Sequence, residues 1–237
     1  MLGNIRSLHP AADEVEISRQ LLARCFGGEL ASKIFSNGNI AIRREAEMLS
    51  EMQIIALVGN HLDALKIPYY VGGGIASINY GEPRLTNDAD VVIRIMPFDI
   101  SQFVKALEND FVVSADAVQD ALARRYAFNV IHTETAFKID FYPMAEDDEM
   151  SMAAFTRRQL VDIGVGKIWM ASAEDIILAK LSWFRRGGEV SEKQWRDVLG
   201  ILKVQGEKLD FEYLALQSKQ FGLADLFERA QGEAGRV

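Results

Sequence analysis

Three consecutive glycines, Gly72, Gly73 and Gly74, follow Tyr69-Tyr70-Val71 and precede Ile75-Ala76-Ser77. The aromatic and β-branched run favours a strand, the glycines end it, and the residues beyond can start a helix. A strand, a glycine turn and a helix in direct succession restrict the chain to folds that mix both kinds of element. The turn also carries a chemistry. Without Cβ atoms its N–H groups can approach a phosphate closely, and the helix start adds its positive end. Ser77 could add a hydroxyl. Neither G-x-G-x-x-G nor G-K-[ST] is present, so the dinucleotide and P-loop patterns do not apply. A glycine cluster of this kind is also compatible with nothing more than a tight turn.

Around this turn the pattern predicts an α/β chain. Met48, Met52, Ile55, Leu62 and Leu65 recur near the helical period, with Gly59 as a blemish, and predict a helix from Arg44 to Leu65. Ala89 to Ile95 reads as a buried strand ended by Met96-Pro97, followed by a helix from about Asp99 to Asn109. Asp116 and Gln119 have capping-box spacing for a helix ending near Arg124 and Arg125. Tyr126 to His132 and Phe137 to Tyr142 predict an antiparallel hairpin. Beyond about Gly166 strand signals fade, and Ser172 with Asp175 and Ser191 with Gln194 mark helix starts. The expected organisation is a helical extension over 1–45, an α/β catalytic domain over 46–165 with a small mixed sheet flanked by helices, and a helical subdomain over 166–237. Trp169, Trp183 and Trp195 read as core residues of this last part.

Asp88-Ala89-Asp90 opens the Val/Ile strand. Side chains at i and i+2 of a strand share a face, so the two carboxylates converge and repel unless a cation lies between them. Hard oxygen ligands of this kind suit Mg²⁺. An Asp-x-Asp pair can equally be an exposed turn. Asp140 adds weight, because it interrupts the otherwise apolar and aromatic run Ile139-Asp140-Phe141-Tyr142, where an ionised carboxylate needs a partner. If the hairpin lies beside the Asp88 strand, Asp140 can face the same site. The alternative is a structural pair with Lys138 or an arginine. Lys180 has Ile176, Ile177, Trp183 and Phe184 at helical spacing around it, so it either snorkels outward or reaches an anion. Arg84 and Thr86, just before the pair, are either phosphate or metal-shell contacts or ordinary loop residues.

The order Val71-Gly72-Gly73 through Ser77, then Arg84-Leu85-Thr86-Asn87-Asp88-Ala89-Asp90, then Asp140 on a later strand resembles the nucleotidyltransferase superfamily of the DNA polymerase β type. It is similar to that family's h-G-[GS] turn, its [DE]-h-[DE] pair and its third carboxylate. Small bacterial nucleotidyltransferase-like proteins, including the AbiEii-type toxins of abortive-infection and toxin–antitoxin systems, show the same likeness, which spans roughly residues 65 to 205. Gly73-Gly74 stands where many relatives place Gly-Ser, so the usual serine contact is unassigned. The resemblance implies a nucleotidyltransferase fold and transfer of a nucleoside monophosphate from an NTP to a hydroxyl on tRNA, a protein or a small molecule. It implies that Asp88, Asp90 and Asp140 hold Mg²⁺ or Mn²⁺, with Asp140 also able to accept the acceptor's proton. Gly72, Gly73, Gly74, Ser77, Arg84, Thr86 and Lys180 would then contact the nucleotide, and an antitoxin protein is an expected partner. The same fold could also serve as a non-catalytic nucleotide-binding or partner-interaction module.

Composition narrows the classes further. A net charge of -8 disfavours a uniformly basic nucleic-acid surface, leaving the pairs Arg43 and Arg44, Arg124 and Arg125, Arg157 and Arg158, and Arg185 and Arg186 as candidate local grooves. Cys25 is the single cysteine, and His9, His61 and His132 lie far apart, which excludes an intramolecular disulfide and argues against zinc or a histidine triad. No apolar run reaches the roughly 20 residues of a membrane span, and no basic-then-apolar leader is seen, so a cytoplasmic protein is expected.

Overall fold

The computed structural model describes residues 49–235; the expected extension over 1–45 lies outside them. Helix α1 (Glu51–Ala64) starts at a full capping box, with the Ser50 hydroxyl accepting from the Gln53 N–H and the Gln53 side chain accepting from the Ser50 N–H. It leads into β1 (Tyr69–Val71) and then, through Gly72, into α2 (Gly73–Tyr80). After β2 (Asp88–Ile93) come α3 (Ile100–Leu107), the short β3 (Phe111–Val112), α4 (Ala115–Arg124), and the hairpin β4 (Phe128–His132) and β5 (Lys138–Pro143). Helix α5 (Glu149–Arg157) precedes a second hairpin, β6 (Gln159–Asp162) and β7 (Lys167–Met170). Four helices follow: α6 (Ala173–Arg186), α7 (Glu192–Gln205), α8 (Phe211–Gln220) and α9 (Ala224–Ala234).

The strands form one mixed seven-stranded sheet in the order β3-β4-β5-β2-β1-β7-β6. β2 runs parallel to β5 and antiparallel to β1, and β7 joins the far side of β1 in parallel. The sheet therefore reaches beyond Gly166, where the sequence shows no clear strand. β6 is mostly exposed, and its Gln159-Leu160-Val161-Asp162 has too little apolar alternation to signal a strand without its partner β7. The cap of α4 also differs from expectation. Ser114 accepts from the Ala117 N–H, and Asp116 sits in the first turn.

One face of the sheet is packed with apolar side chains. Phe103 of α3 meets the rings of Phe128 and Phe141 edge-on at 5.8 and 5.5 Å, while Phe128 and Phe141 stack on each other at 5.1 Å. Gly59 has a packing reason. A Cβ there would come within 2.6 Å of the Tyr69 hydroxyl, so α1 can lie this close to the sheet only without a side chain at that position. Helices α6 and α7 pack against each other and against α2, which brings the C-terminal helices to the glycine turn. Trp195 is buried and tilted on Phe184 at 4.9 Å, whereas Trp183, expected in the core, is 53% exposed with Arg186 over its ring. The helix α6 stripe that faces inward passes one position to the side of Trp183.

Phe103→Ala should lower unfolding free energy by about 3–5 kcal/mol, because the ring is fully buried between two others. Phe98→Ala, at a 79% exposed position, should change it by less than about 0.5 kcal/mol. Urea denaturation of both variants checks the contrast.

Candidate active site

Alternation along β2 sends Ala89, Val91 and Ile93 into the core and leaves Asp88, Asp90 and Val92 on the opposite, part-exposed face. β5 repeats the pattern: Ile139 and Phe141 are buried, and Lys138, Asp140 and Tyr142 lie on the other face. The parallel register sets Asp88 beside Lys138 and Asp90 beside Asp140. On the other side of β2, the Gly72 N–H donates to the Asp90 carbonyl at 2.9 Å, which fixes the glycine turn to the same row. The three acidic residues expected from sequence thus share one face of two adjacent strands, next to the turn.

The turn is shaped around Asp90. Gly73 has a φ of +51, and a Cβ at this residue would lie 1.7 Å from Asp90 Oδ2, a collision with a carboxylate held in place. The Gly74 N–H donates to that same oxygen at 3.3 Å, and the Tyr142 hydroxyl donates to Oδ1 at 3.3 Å. Burial raises the Asp90 carboxyl above its usual value. The Gly74 N–H opposes this, Asp88 adds to it, and the Lys180 charge and the Tyr142 hydroxyl oppose it again. Thr86 donates from Oγ1 to Asp88 Oδ1 at 3.1 Å and lies where a Cβ on Gly74 would come within 2.7 Å of it. Asp140 pairs with Lys138, whose Nζ is 2.7 Å from Oδ2. Each carboxylate is turned to a protein donor, and no three acidic, histidine or cysteine side chains among the described residues are gathered as a metal-binding group.

Arg84 and Lys180 are brought together by a residue the sequence reading did not single out. Asp197 on α7 is buried and accepts from Arg84 Nε at 2.7 Å and Nη2 at 2.9 Å, a bidentate pair, and from Lys180 Nζ at 2.9 Å. Burial would raise the Asp197 carboxyl, but the hydrogen bonds and charges of Arg84 and Lys180 outweigh it and hold the group below the usual carboxylate value. Both cations also feel the sheet carboxylates, Arg84 those of Asp88 and Asp90, and Lys180 that of Asp90. Two cations on one anion leave a net positive charge beside the glycine turn. The missed signal is the same as for Lys180: a charged residue between Trp195 and Val198, on the apolar face of its helix. Ser77 is placed apart from this group; it is buried and donates to the Gly73 carbonyl at 2.8 Å, inside its own helix.

No family model matches the sequence, and no curated protein matches it. Solved structures do. ANT(2")-Ia in complex with adenylyl-2"-tobramycin aligns over 73% of this chain and 98% of its own, at 14% identity and a TM-score of 0.50. An antigenic nucleotidyltransferase-like protein from Paracoccidioides brasiliensis aligns over 74% and 91% at 20% identity and TM-score 0.46. The lincosamide antibiotic adenylyltransferase LnuA, lincomycin-bound, aligns over 66% and 98% at 14% identity and TM-score 0.44. The first of these likenesses defines the fold as that of a nucleotidyltransferase, a mixed sheet flanked by helices.

Asp197→Asn leaves two cations without their counter-charge and should destabilise the protein by about 3 kcal/mol at neutral pH. Because the folded-state value is depressed, this stability is present above the unfolded value of 3.8 and lost as pH falls through the lower folded one. The gap between wild type and variant, read by urea denaturation from pH 7 downward, should be constant to about pH 4 and then close. Gly73→Ala should cost at least about 1–2 kcal/mol from its left-handed backbone alone, measured the same way.

Proposed function

We propose that this protein is a metal-dependent nucleotidyltransferase that moves a nucleoside monophosphate from an NTP to a hydroxyl of a small acceptor. The observation that carries the reading is the pairing of Asp90 with Asp140 on parallel strands, directly beside a glycine turn built around the Asp90 carboxylate. Hard oxygen donors make up the acidic face, with no thiolate or imidazole among them, so its chemistry fits Mg²⁺ or Mn²⁺. Asp88, Asp90 and Asp140 would hold the ion. When bound, it supplies positive charge to the triphosphate and to the oxygen that leaves with pyrophosphate.

The remaining work falls to the protein's own groups. Backbone N–H groups of the turn from Gly72 to Gly74 would receive phosphate oxygens, supported by the positive end of α2. Arg84 and Lys180, oriented by Asp197, would add charge where the phosphates lie. Asp140 would accept the proton of the attacking hydroxyl as its oxygen bonds to the α-phosphorus and the bond to the β-phosphate bridging oxygen breaks. Thr86 holds Asp88 in orientation, as Tyr142 holds Asp90.

A small acceptor is favoured over RNA by charge. Of the arginine pairs noted in the sequence, Arg124, Arg125, Arg157 and Arg185 each face an acidic partner, and Arg158 and Arg186 lie over aromatic rings, so none of these presents an open basic groove. Arg43 and Arg44 lie outside the described residues. The adenylyl-2"-tobramycin named for the similar ANT(2")-Ia structure is an adenylylated small molecule, consistent with this choice. Among the described residues no helix is long and apolar enough to cross a membrane, and the need for NTP supports the reading of a cytoplasmic protein. The protein or tRNA acceptor, and the antitoxin-type partner implied by the AbiEii-type resemblance, draw no support of their own from these residues.

Isothermal titration of ATP, GTP, CTP and UTP with Mg²⁺ tests the proposal. Wild type should bind at least one NTP only when Mg²⁺ is present, and Asp88→Asn with Asp90→Asn should weaken that binding by about 100-fold. Wild type that binds no NTP under any condition would sink it.

A further inference from the structure

One cation lies on the acidic face and is not held by Asp197. Lys138 occupies the row of Asp88 across the β2 and β5 register, and it precedes Asp140 by two residues, so both side chains rise from the same face of the sheet. Its Nζ lies 2.7 Å from Asp140 Oδ2. Of the ion pairs among the described residues, this is the one that engages a carboxylate of the proposed metal-holding face; Arg84 and Lys180 are turned to Asp197. The two partners also differ in freedom. The Lys138 side chain is 39% exposed and the Asp140 side chain 13%, so the lysine can withdraw into solvent on its four-carbon stem while the carboxylate stays fixed to the strand.

Building on the reading of Asp88, Asp90 and Asp140 as ligands, we propose that Lys138 is a resident counter-ion that a divalent cation displaces from Asp140, and that this competition sets the metal affinity of the site. Three adjacent carboxylates carry three negative charges on one face; a lysine ammonium among them reduces the repulsion in the metal-free protein. The same contact fills an oxygen that a metal would need. Metal binding then requires breaking the Lys138 ion pair first, which lowers apparent affinity by the worth of that pair. For a part-exposed pair this is modest, corresponding to a change of about two- to fivefold. Lys138 as a structural partner for Asp140 and Asp140 as a metal ligand are therefore two states of one site. Metal, most readily arriving with its triphosphate, selects between them.

Mn²⁺ binding to the full chain without nucleotide, followed by the EPR signal of free Mn²⁺, separates the outcomes. Lys138→Met keeps the length of the stem and removes the charge; it should bind Mn²⁺ about two- to fivefold more tightly than wild type. Its melting temperature should also respond more steeply to added Mn²⁺, since the bare carboxylates repel until the ion arrives. Lys138→Arg retains a competing cation and should stay near wild type. In an Asp140→Asn background the Lys138→Met gain should vanish, because the contact it relieves is gone. Equal Mn²⁺ affinity in wild type and Lys138→Met would overturn the displacement role while leaving the metal-holding face intact. A gain that persists with Asn at position 140 would overturn it too, showing a general charge effect in its place. Failure of every variant, wild type included, to bind Mn²⁺ would overturn the displacement role as well, while the NTP titration with Mg²⁺ decides the function beneath it.

Discussion

The register between β2 and β5 governs everything else about the candidate site. With Asp90 beside Asp140, the even positions of both strands put acids on one face and Ala89, Val91, Ile93, Ile139 and Phe141 in the core on the other. A slip of one residue would send Asp140 into the Phe103, Phe128 and Phe141 cluster and turn Phe141 outward, so apolar burial on one face enforces the acidic arrangement on the other. The parallel pairing cannot be made by a tight turn. It depends on the crossover through α3, β3, α4 and β4, which folds the later hairpin back beside β2.

A second constraint ties the helical layer to the sheet. A Cβ at Gly81 would lie 3.0 Å from the Ile201 backbone nitrogen, and one at Gly200 would lie 3.3 Å from that of Glu82, so the end of α2 and the middle of α7 meet almost backbone to backbone. One turn before Gly200, this approach delivers Asp197 to Arg84 and Lys180. Charge balance near the turn thus rests on helices far along the chain. Removing either the close contact or the buried acid would leave Arg84 and Lys180 to rearrange around the acidic face.

Several parts were legible in advance for identifiable reasons. Ser172 and Ser191 cap their helices as their spacing predicts, because a cap is a local hydrogen bond between residues three apart. The hairpin of β4 and β5 was readable from alternation on either side of a polar turn. β6 and β7 were not, because an edge hairpin with an exposed outer strand carries little apolar alternation. Trp183 escaped the core because one helix face is buried and its neighbour is not, a distinction set by what packs there.

By itself the sequence determined the glycine turn, the Asp-x-Asp pair with its shared face, and the presence of charged residues on apolar stripes, since each follows from backbone geometry over a few residues. Only the tertiary structure decided which charges meet. Asp90 faces Asp140 across 50 residues of chain, Asp197 gathers Arg84 and Lys180 from two separate elements, and Lys138 takes the Asp140 oxygen. Such pairings depend on strand order and helix approach, which are set by burial of the whole core and leave no local trace in the residues that they bring together.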